Sequence, residues 1–240
     1  MKTSNKIFVA ALVLLLSSLT AYNVALRAEH RTGNYKDPLH NYTALALRDF
    51  DEINVPSASS LNVKIEAGPF GVHVGKNVAE YVRVTQLGQR LTINLAFPKE
   101  SKWLGADDAV VITCPRLQSL ATDGVYTAAG KTILERMGQD CDIVVKGFVQ
   151  DSLTLQQDRA SEVKLEGNTL KWLHAVAGIS PGSGSGLQIS KDNRIQAADL
   201  AIGRQGHLNL ATGIASLRHQ FSDSASVTFS GGAARSLSTK

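Results

Sequence analysis

The chain is poor in the residues that usually carry metal binding and catalysis. Its 240 residues include only two cysteines and six histidines. The histidines are scattered, with no HxH, HxxxH or HExxH pair, and no other ligand stands at metal-binding spacing from the cysteines. Because zinc and similar ions are held by such closely spaced ligands, we expect no metal site. The sequence also shows no catalytic or cofactor signature, and we therefore expect no cofactor and no catalytic residues.

Two interpretations are open for the two cysteines, Cys114 and Cys141. In an oxidising compartment they could form a disulfide, which would close a loop of about 27 residues. Each also borders an apolar, strand-like segment, VVITCP and CDIVVKG, where a cysteine behaves as a small buried hydrophobe. We favour the second interpretation and keep the disulfide as the alternative.

The body of the chain also lacks an excess of charge of either sign. The formal net charge is +4, but residues 1–36 hold five basic groups against one acid, and the remainder holds 20 of each sign. Proteins that bind nucleic acids need a basic surface to neutralise phosphates, so we expect no nucleic-acid partner. The basic excess instead flanks a hydrophobic segment, where cations meet anionic lipid.

Only one long hydrophobic run is present, residues 7–26. A run of 20 residues just spans a bilayer core of about 30 Å at about 1.5 Å per residue, so it predicts a transmembrane anchor. No small-x-small cleavage site ends at Ala21, Ala25 or Ala28, and we therefore favour an uncleaved anchor over a cleaved signal peptide. The expected organisation is a short cytoplasmic start (1–6), the anchor (7–26), a juxtamembrane spacer (27–47) and an exported domain (48–240).

Beyond that run the sequence shows no convincing period of 3.6 residues, which argues against long helices. From residue 48 onward apolar and polar residues alternate, as at Val63 and Ile65 or at Leu153 and Leu155, and Gly, Asn, Asp and Ser clusters separate these segments. This pattern is typical of half-buried strands joined by tight turns. We expect an all-β domain.

The C-terminal half contains an internal repeat. Residues 158–173 align with residues 223–237 after a deletion of one residue. Equivalent strand positions stand 24, 21 and 19 residues apart, at Leu165, Ile189, Leu210 and Phe229. Irregular spacing near 20 residues is typical of stacked β-coils. A β-sandwich, whose strands recur every 8–12 residues or so, remains the alternative.

Residues 50–95 contain a characteristic series of motifs. In chain order these are Phe-x-x-Ile, a short spacer, an alternating strand that ends in glycine, a second strand and a strand with the pattern Leu-x-Ile. The segments ASEVKLEG (160–167) and SASVTFSG (224–231) repeat a small-small-x-Val-x-hydrophobic-x-Gly element. Over about residues 48–240 the chain resembles the putative auto-transporter adhesin, head GIN domain family. The resemblance implies a right-handed parallel β-helix and a bacterial cell-envelope location, and its motifs are structural rather than catalytic.

Few residues stand out as functional candidates. A polysaccharide lyase or hydrolase is the enzymatic alternative, but it would need converging carboxylates, and the adjacent acids Asp107 and Asp108 lie in what we interpret as a solvated loop. Trp103 and Trp172 are the candidates for a sugar-binding platform. Trp172 shares a strand with Leu170, so packing is the simpler explanation for it.

The leading hypothesis is therefore a membrane-tethered, non-catalytic cell-envelope protein with an adhesion, binding or scaffold role. Its expected partners are the membrane, through residues 7–26, and a glycan, an envelope protein or a second copy of the chain. We expect the C-terminal domain to lie outside the cytoplasm of a bacterium, and secretion after signal cleavage is the alternative.

Overall fold

The computed structural model describes residues 3–33, 36–136 and 141–238. It divides into two compact units, residues 1–42 and residues 43–240. The first unit consists mainly of helix α1 (Thr3–Thr32). The second is built almost entirely from β-strands.

Helix α1 has 30 residues and is about 45 Å long at about 1.5 Å per residue. Its segment Asn5–Arg31 is long and apolar enough to cross a membrane, a property that membrane anchors and signal sequences share. The Ser18 and Thr20 hydroxyls donate to backbone carbonyls one turn back, at 2.8 and 2.7 Å. These polar groups are therefore satisfied within the helix, as an apolar medium requires. The helix also includes residues 27–32 of the predicted spacer.

From Tyr42 onward the described residues form nineteen strands, a 3-10 turn (Ala58–Ser60) and helix α2 (Gly231–Ser238). The strands are β1 (Tyr42–Leu45), β2 (Glu52–Val55), β3 (Val63–Ala67), β4 (Gly71–Gly75), β5 (Val82–Leu87), β6 (Arg90–Phe97), β7 (Val110–Cys114), β8 (Ser119–Thr122), β9 (Val125–Ala128), β10 (Lys131–Leu134), β11 (Asp142–Lys146), β12 (Val149–Gln157), β13 (Glu162–Glu166), β14 (Thr169–Ala177), β15 (Gly186–Ile189), β16 (Arg194–Ile202), β17 (His207–Leu210), β18 (Ser216–Phe221) and β19 (Ser226–Phe229).

The strands form two sheets. The order in the first is β1-β4-β7-β3-β11-β13-β15-β17-β19, and the order in the second is β10-β9-β6-β2-β8-β12-β14-β16-β18, with β5 also paired to β6. Most pairs are parallel, but β4 with β7, β5 with β6, and β9 with β10 are antiparallel. The mostly β class is confirmed. These mixed sheets fit the sandwich alternative and do not show a right-handed parallel β-helix, because antiparallel pairs interrupt the parallel order.

Strands β11 to β19 alternate between the two sheets, the odd-numbered strands in the first and the even-numbered ones in the second. All pairs among these nine strands are parallel. In the first sheet Leu165, Ile189, Leu210 and Phe229 are paired in register, so the predicted equivalence of these positions is confirmed. Because neighbouring strands lie about 4.8 Å apart, each side chain stacks on its counterpart in the next strand.

One hydrophobic core takes side chains from both sheets. The core includes two fully buried residues from β13, Val163 and Leu165, and two from β15, Leu187 and Ile189. The residue between each pair, Lys164 or Gln188, is on the opposite side of the strand and is only partly buried. Branched aliphatic side chains suit such strands because they pack well on a pleated surface, and full burial of each contributes about 1.5–3 kcal/mol. Alternate residues of β13 and β15 therefore lie in the interior, and the remaining residues form the outer face.

A buried pair of asparagines satisfies the backbone where the chain leaves the first sheet. Asn168 follows β13 and Asn193 follows β15, and they are 0% and 3% exposed. The side-chain Oδ1 of Asn168 accepts the Phe148 N–H at 2.9 Å, and its Nδ2 donates to the Val145 backbone carbonyl and to Asn193 Oδ1, both at 3.0 Å. Asn193 donates in turn to the Leu165 carbonyl at 2.7 Å. These bonds satisfy backbone groups that would otherwise be buried without partners.

Replacing Asn168 with alanine should leave the Phe148 N–H and the Val145 carbonyl without these partners. A buried unsatisfied group costs about 1–3 kcal/mol, so we expect the free energy of unfolding to fall by about 2–4 kcal/mol. Urea unfolding of the full chain in detergent micelles measures this loss. Asn209→Ala, on the exposed side of β17, is the matched control and should change stability by less than about 0.5 kcal/mol. Equal losses in the two variants would contradict the role of Asn168.

Candidate binding surfaces

Trp172 stands on the outer face of the second sheet. It lies in β14 between Ser152 of β12 and Ala197 of β16, and 38% of its surface is exposed. Leu170 and Leu173 are both buried, so the alternation of the strand shifts by one residue here and carries Trp172 outwards. Because its neighbours in the row are small, neither of them can cover the indole ring. Trp172 is therefore a surface residue and does not fill the core.

A row of polar residues runs beside Trp172. Two positions further along each strand, Thr154, His174, Asp199 and Arg218 are paired in register across β12, β14, β16 and β18. His174 Nδ1 lies 3.7 Å from Asp199 Oδ2. The surface thus combines an aromatic ring with hydrogen-bonding groups about 7 Å away along the strand. Ligand sites commonly combine these two features, an apolar surface and a few placed polar groups.

Trp103 lies apart from this surface. It follows β6, which is four strands away from β14 in the second sheet, and it is 66% exposed. The preceding Lys102 packs its ammonium group 4.1 Å from the centre of the Tyr81 ring, which ties this segment to the body of the domain. The structure does not bring Trp103 and Trp172 into one row.

The two cysteines are both buried, and no disulfide joins these two described residues. Strand β3 pairs with β7 on one side and with β11 on the other, so Ala67 of β3 serves as a common reference. Cys114 of β7 is directly opposite Ala67. On the other side, Cys141 lies six residues before the position opposite Ala67. The two are therefore about 20 Å apart along the strand direction, far beyond the Cα separation of about 7 Å that a disulfide tolerates. Burial raises the pKa of the Cys114 thiol to about 12, which keeps it protonated and unreactive.

The adjacent acids Asp107 and Asp108 lie just before β7, outside the strands. Asp107 is exposed and Asp108 is half-buried. Burial raises the pKa of Asp108, and the positive charge of Lys64 opposes that shift. A polysaccharide-cleaving enzyme needs two carboxyl groups on either side of the bond that breaks. Two neighbours in one loop do not by themselves provide that arrangement.

The outer face of the first sheet carries a polar cleft that was not predicted from the sequence. Asp142, Glu162, Gly186 and His207 are paired in register on β11, β13, β15 and β17. Three of them, Asp142, Glu162 and His207, line a cleft of about 350 Å³ together with Lys164 of β13. Parallel pairing of strands that are distant in sequence is what assembles this cleft.

A signal for the cleft was nevertheless present in the sequence. Glu162, Gly186 and His207 each stand three residues before one of the equivalent strand positions, Leu165, Ile189 and Leu210. Alignment of the sequence segments on those positions places the three residues in one row. The direction of their side chains and the contacts between them could not be predicted from the sequence.

Two ion pairs form in this cleft. Lys164 Nζ lies 2.5 Å from Asp142 Oδ2, and His207 Nε2 donates to Glu162 Oε2 at 2.8 Å. The second pair joins residues two strands apart because Gly186, between them, has no side chain. A Cβ atom at this position would lie 1.8 Å from Glu162 Oε2 and 2.1 Å from His207 Nε2. Glycine at position 186 is therefore a requirement of the Glu162–His207 pair.

Charged side chains of both signs meet in this cleft. The hydrogen bond to Glu162 raises the pKa of His207, and burial opposes this shift. Among the described residues, no group of three or more His, Cys, Asp and Glu side chains is placed to hold a metal ion.

Glu162→Gln should lower the pKa of His207 towards its ordinary value near 6.5, because the charged hydrogen-bond acceptor is lost. Since the pKa of His207 is raised in the folded protein, the stabilisation from the pair is present below about pH 6.5 and is lost as the pH rises through the raised value. Glu162→Gln should therefore destabilise the protein more at pH 5.5 than at pH 8.5. NMR titration of the His207 ring and unfolding at the two pH values test both points.

Asp199→Asn, which changes a carboxylate on the other sheet, is the matched control for that titration. It should leave the His207 titration unchanged. The Glu162–His207 pair would be contradicted if His207 titrated at the same pH in the wild type and in Glu162→Gln.

No protein-family model matches this chain, and no similar sequence was found among the curated proteins. The chain is similar in structure to a putative adhesin from Bacteroides fragilis NCTC 9343, with a TM-score of 0.52 and 12% identity over 79% of this chain and 93% of that one. A putative adhesin from Parabacteroides distasonis ATCC 8503 matches with a TM-score of 0.36 and 13% identity, over 79% and 93% of the two chains. A putative lipid binding protein from the same strain matches at 0.33 and 12%, over 79% and 94%.

At this low identity the likeness to the Bacteroides fragilis protein shows a common fold and nothing further. It agrees in general terms with the resemblance to adhesins, and the head GIN domain family itself is not matched by a family model.

Proposed function

We propose that this protein is a membrane-tethered, non-catalytic cell-envelope protein that binds glycans and serves in adhesion. The observation that carries the proposal is the position of Trp172, which stands on an outer sheet face between Ser152 and Ala197. An aromatic ring between small neighbours offers a flat apolar surface to the apolar side of a sugar ring. The polar row that includes His174 and Asp199 supplies partners for the hydroxyl groups.

The proposed organisation follows the predicted domain limits. Residues 7–26 act as an uncleaved anchor in a bacterial membrane, residues 1–6 remain in the cytoplasm and residues 27–47 act as a spacer, whose last part forms β1 of the first sheet. Residues 48–240 form a head GIN-like domain outside the cytoplasm. The length and apolar character of Asn5–Arg31 support the anchor, because about 20 apolar residues are enough to cross a bilayer.

We also propose that β11 to β19 form successive coils of a right-handed parallel β-helix. Their strict alternation between two sheets and their parallel pairing support this winding, because a parallel strand can follow its predecessor in the same sheet only through a crossover, and such crossovers are almost always right-handed. The crossovers are the strands of the other sheet. Such a stack repeats its outer positions about every 4.8 Å, so weak contacts to a repeating ligand can add along the face.

Trp172→Ala should weaken the binding of at least one glycan by about 30-fold, since loss of a central tryptophan contact commonly costs about 2 kcal/mol. The full chain in lipid nanodiscs is applied to a glycan array, and the Kd of each bound glycan is then measured. Trp172→Phe should retain most of the affinity because a ring remains. Trp103→Ala removes an exposed tryptophan far from the row and should have no effect. Unchanged binding by Trp172→Ala would refute the proposed site.

The same preparation in lipid nanodiscs tests the enzymatic alternative, a polysaccharide lyase or hydrolase. Incubation of the wild type with the bound polysaccharides should release no shorter products. Cleavage that disappears in the double variant Asp107→Asn, Asp108→Asn would contradict the non-catalytic proposal and establish a lyase or hydrolase.

The anchor predicts that the chain stays in the membrane fraction after extraction at alkaline pH, because an apolar helix of this length inserts stably. Mass spectrometry of the mature protein should find residues 7–26 still attached. Recovery of a soluble chain whose N-terminus lies beyond residue 26 would contradict the anchor and favour secretion.

A further inference from the structure

We infer that the outer face of the first sheet forms a second saccharide site, a polar groove that takes neutral, hydroxyl-rich oligosaccharides. The groove consists of the cleft around Glu162 and His207 and an adjoining hollow that shares Gln188 with it. This inference deepens the proposed function and rests on it for the class of ligand, but it concerns different residues on a different sheet from Trp172.

The two parts of the groove are continuous because of the strand register. Lys164, Gln188 and Asn209 are paired on β13, β15 and β17, so they follow one another at steps of about 4.8 Å. The cleft has a volume of about 350 Å³, and the adjoining hollow, which reaches Ser230 beyond β19, has about 530 Å³. From β11 to β19 the face extends over four strand steps, or about 19 Å. A groove of this length suits a chain of several sugar units better than a single small molecule.

The charges in the groove favour a neutral ligand. In the cleft, Lys164 is paired with Asp142 and His207 with Glu162. The adjoining hollow is lined by Lys191 together with Glu166 and Asp192, so charges of both signs are mixed along the groove. An anionic ligand would have to compete with these carboxylates, and a cationic ligand with Lys164 and His207. A sugar hydroxyl both donates and accepts hydrogen bonds, so it can bind the remaining donors and acceptors of each pair without breaking the pair.

The lining also argues against apolar ligands. The cleft is lined by polar side chains and by small residues such as Ala160 and Gly184, and the one ring among these residues is the imidazole of His207, which is hydrogen-bonded to Glu162. Acyl chains and apolar peptide side chains would therefore gain little from burial here. The two ion pairs hold four of the polar side chains in place before a ligand arrives, which reduces the entropy lost on binding.

The groove is tested in the Trp172→Ala background, so that only binding outside the aromatic surface is measured. The full chain in lipid nanodiscs is titrated with maltohexaose, cellohexaose and chitohexaose as neutral probes, and with hexagalacturonate and inorganic phosphate as anionic probes. We expect at least one neutral probe to bind. Adding Gln188→Ala should weaken its binding by about tenfold, the loss expected from one or two hydrogen bonds. Gln220→Ala, an exposed glutamine on the other sheet, should not change it.

Each result decides between the two sites. The groove is overturned if the Trp172→Ala chain binds none of the neutral probes, if it binds only the anionic probes, or if Gln188→Ala and Gln220→Ala behave alike. Loss of all saccharide binding on Trp172→Ala would reject the groove and leave the aromatic site standing. Binding that is unaffected by Trp172→Ala but lost on Gln188→Ala would support the groove and reject the role of Trp172.

Discussion

The buried side-chain amides of Asn168 and Asn193 are the constraint on which the stacked part of this domain depends. Where the chain leaves the first sheet for the second, backbone N–H and C=O groups enter an apolar interior without strand partners, which is costly unless they are satisfied. Asn168 binds backbone groups near the end of β11 and the side chain of Asn193, which follows β15. Such bonds can form only when β11, β13 and β15 keep their parallel pairing, so they fix the register.

Register in turn determines the composition of both outer faces. Because side chains alternate along a strand, a slip of one residue would exchange the inner and outer faces of that strand. A slip in β15 would remove Gly186 from its place between Glu162 and His207 and put a larger side chain where their contact forms. The same register on the second sheet sets Trp172 between Ser152 and Ala197. Core packing and surface chemistry are therefore consequences of one stacking arrangement.

The parts of the fold that depend on local alternation were predictable. Leu165, Ile189, Leu210 and Phe229 could be aligned from sequence because each is an apolar residue within an alternating segment, and the structure pairs them. The two copies of the repeat, residues 158–173 and 223–237, each contain a turn and then a strand, β13 in the first copy and β19 in the second. After that strand the two copies differ, because the first continues into β14 and the second into helix α2. The antiparallel pairs of the N-terminal half and the side-chain contacts of the cleft depend on contacts between distant segments, which alternation does not encode.

The variation in coil length also bears on where a ligand would bind. The longest connection between consecutive strands from β11 to β19, residues 178–185, is twice the length of the turns at 203–206 and 222–225. The first-sheet strands that follow these connections nevertheless keep their register. The extra residues lie in the connections outside the sheets, where changes in length are usually tolerated. The rows of side chains on the sheet faces keep their spacing. A surface that must meet a repeating polymer needs constant spacing more than it needs long loops. The sheet faces, with their fixed steps of about 4.8 Å, meet that requirement, and the connections do not.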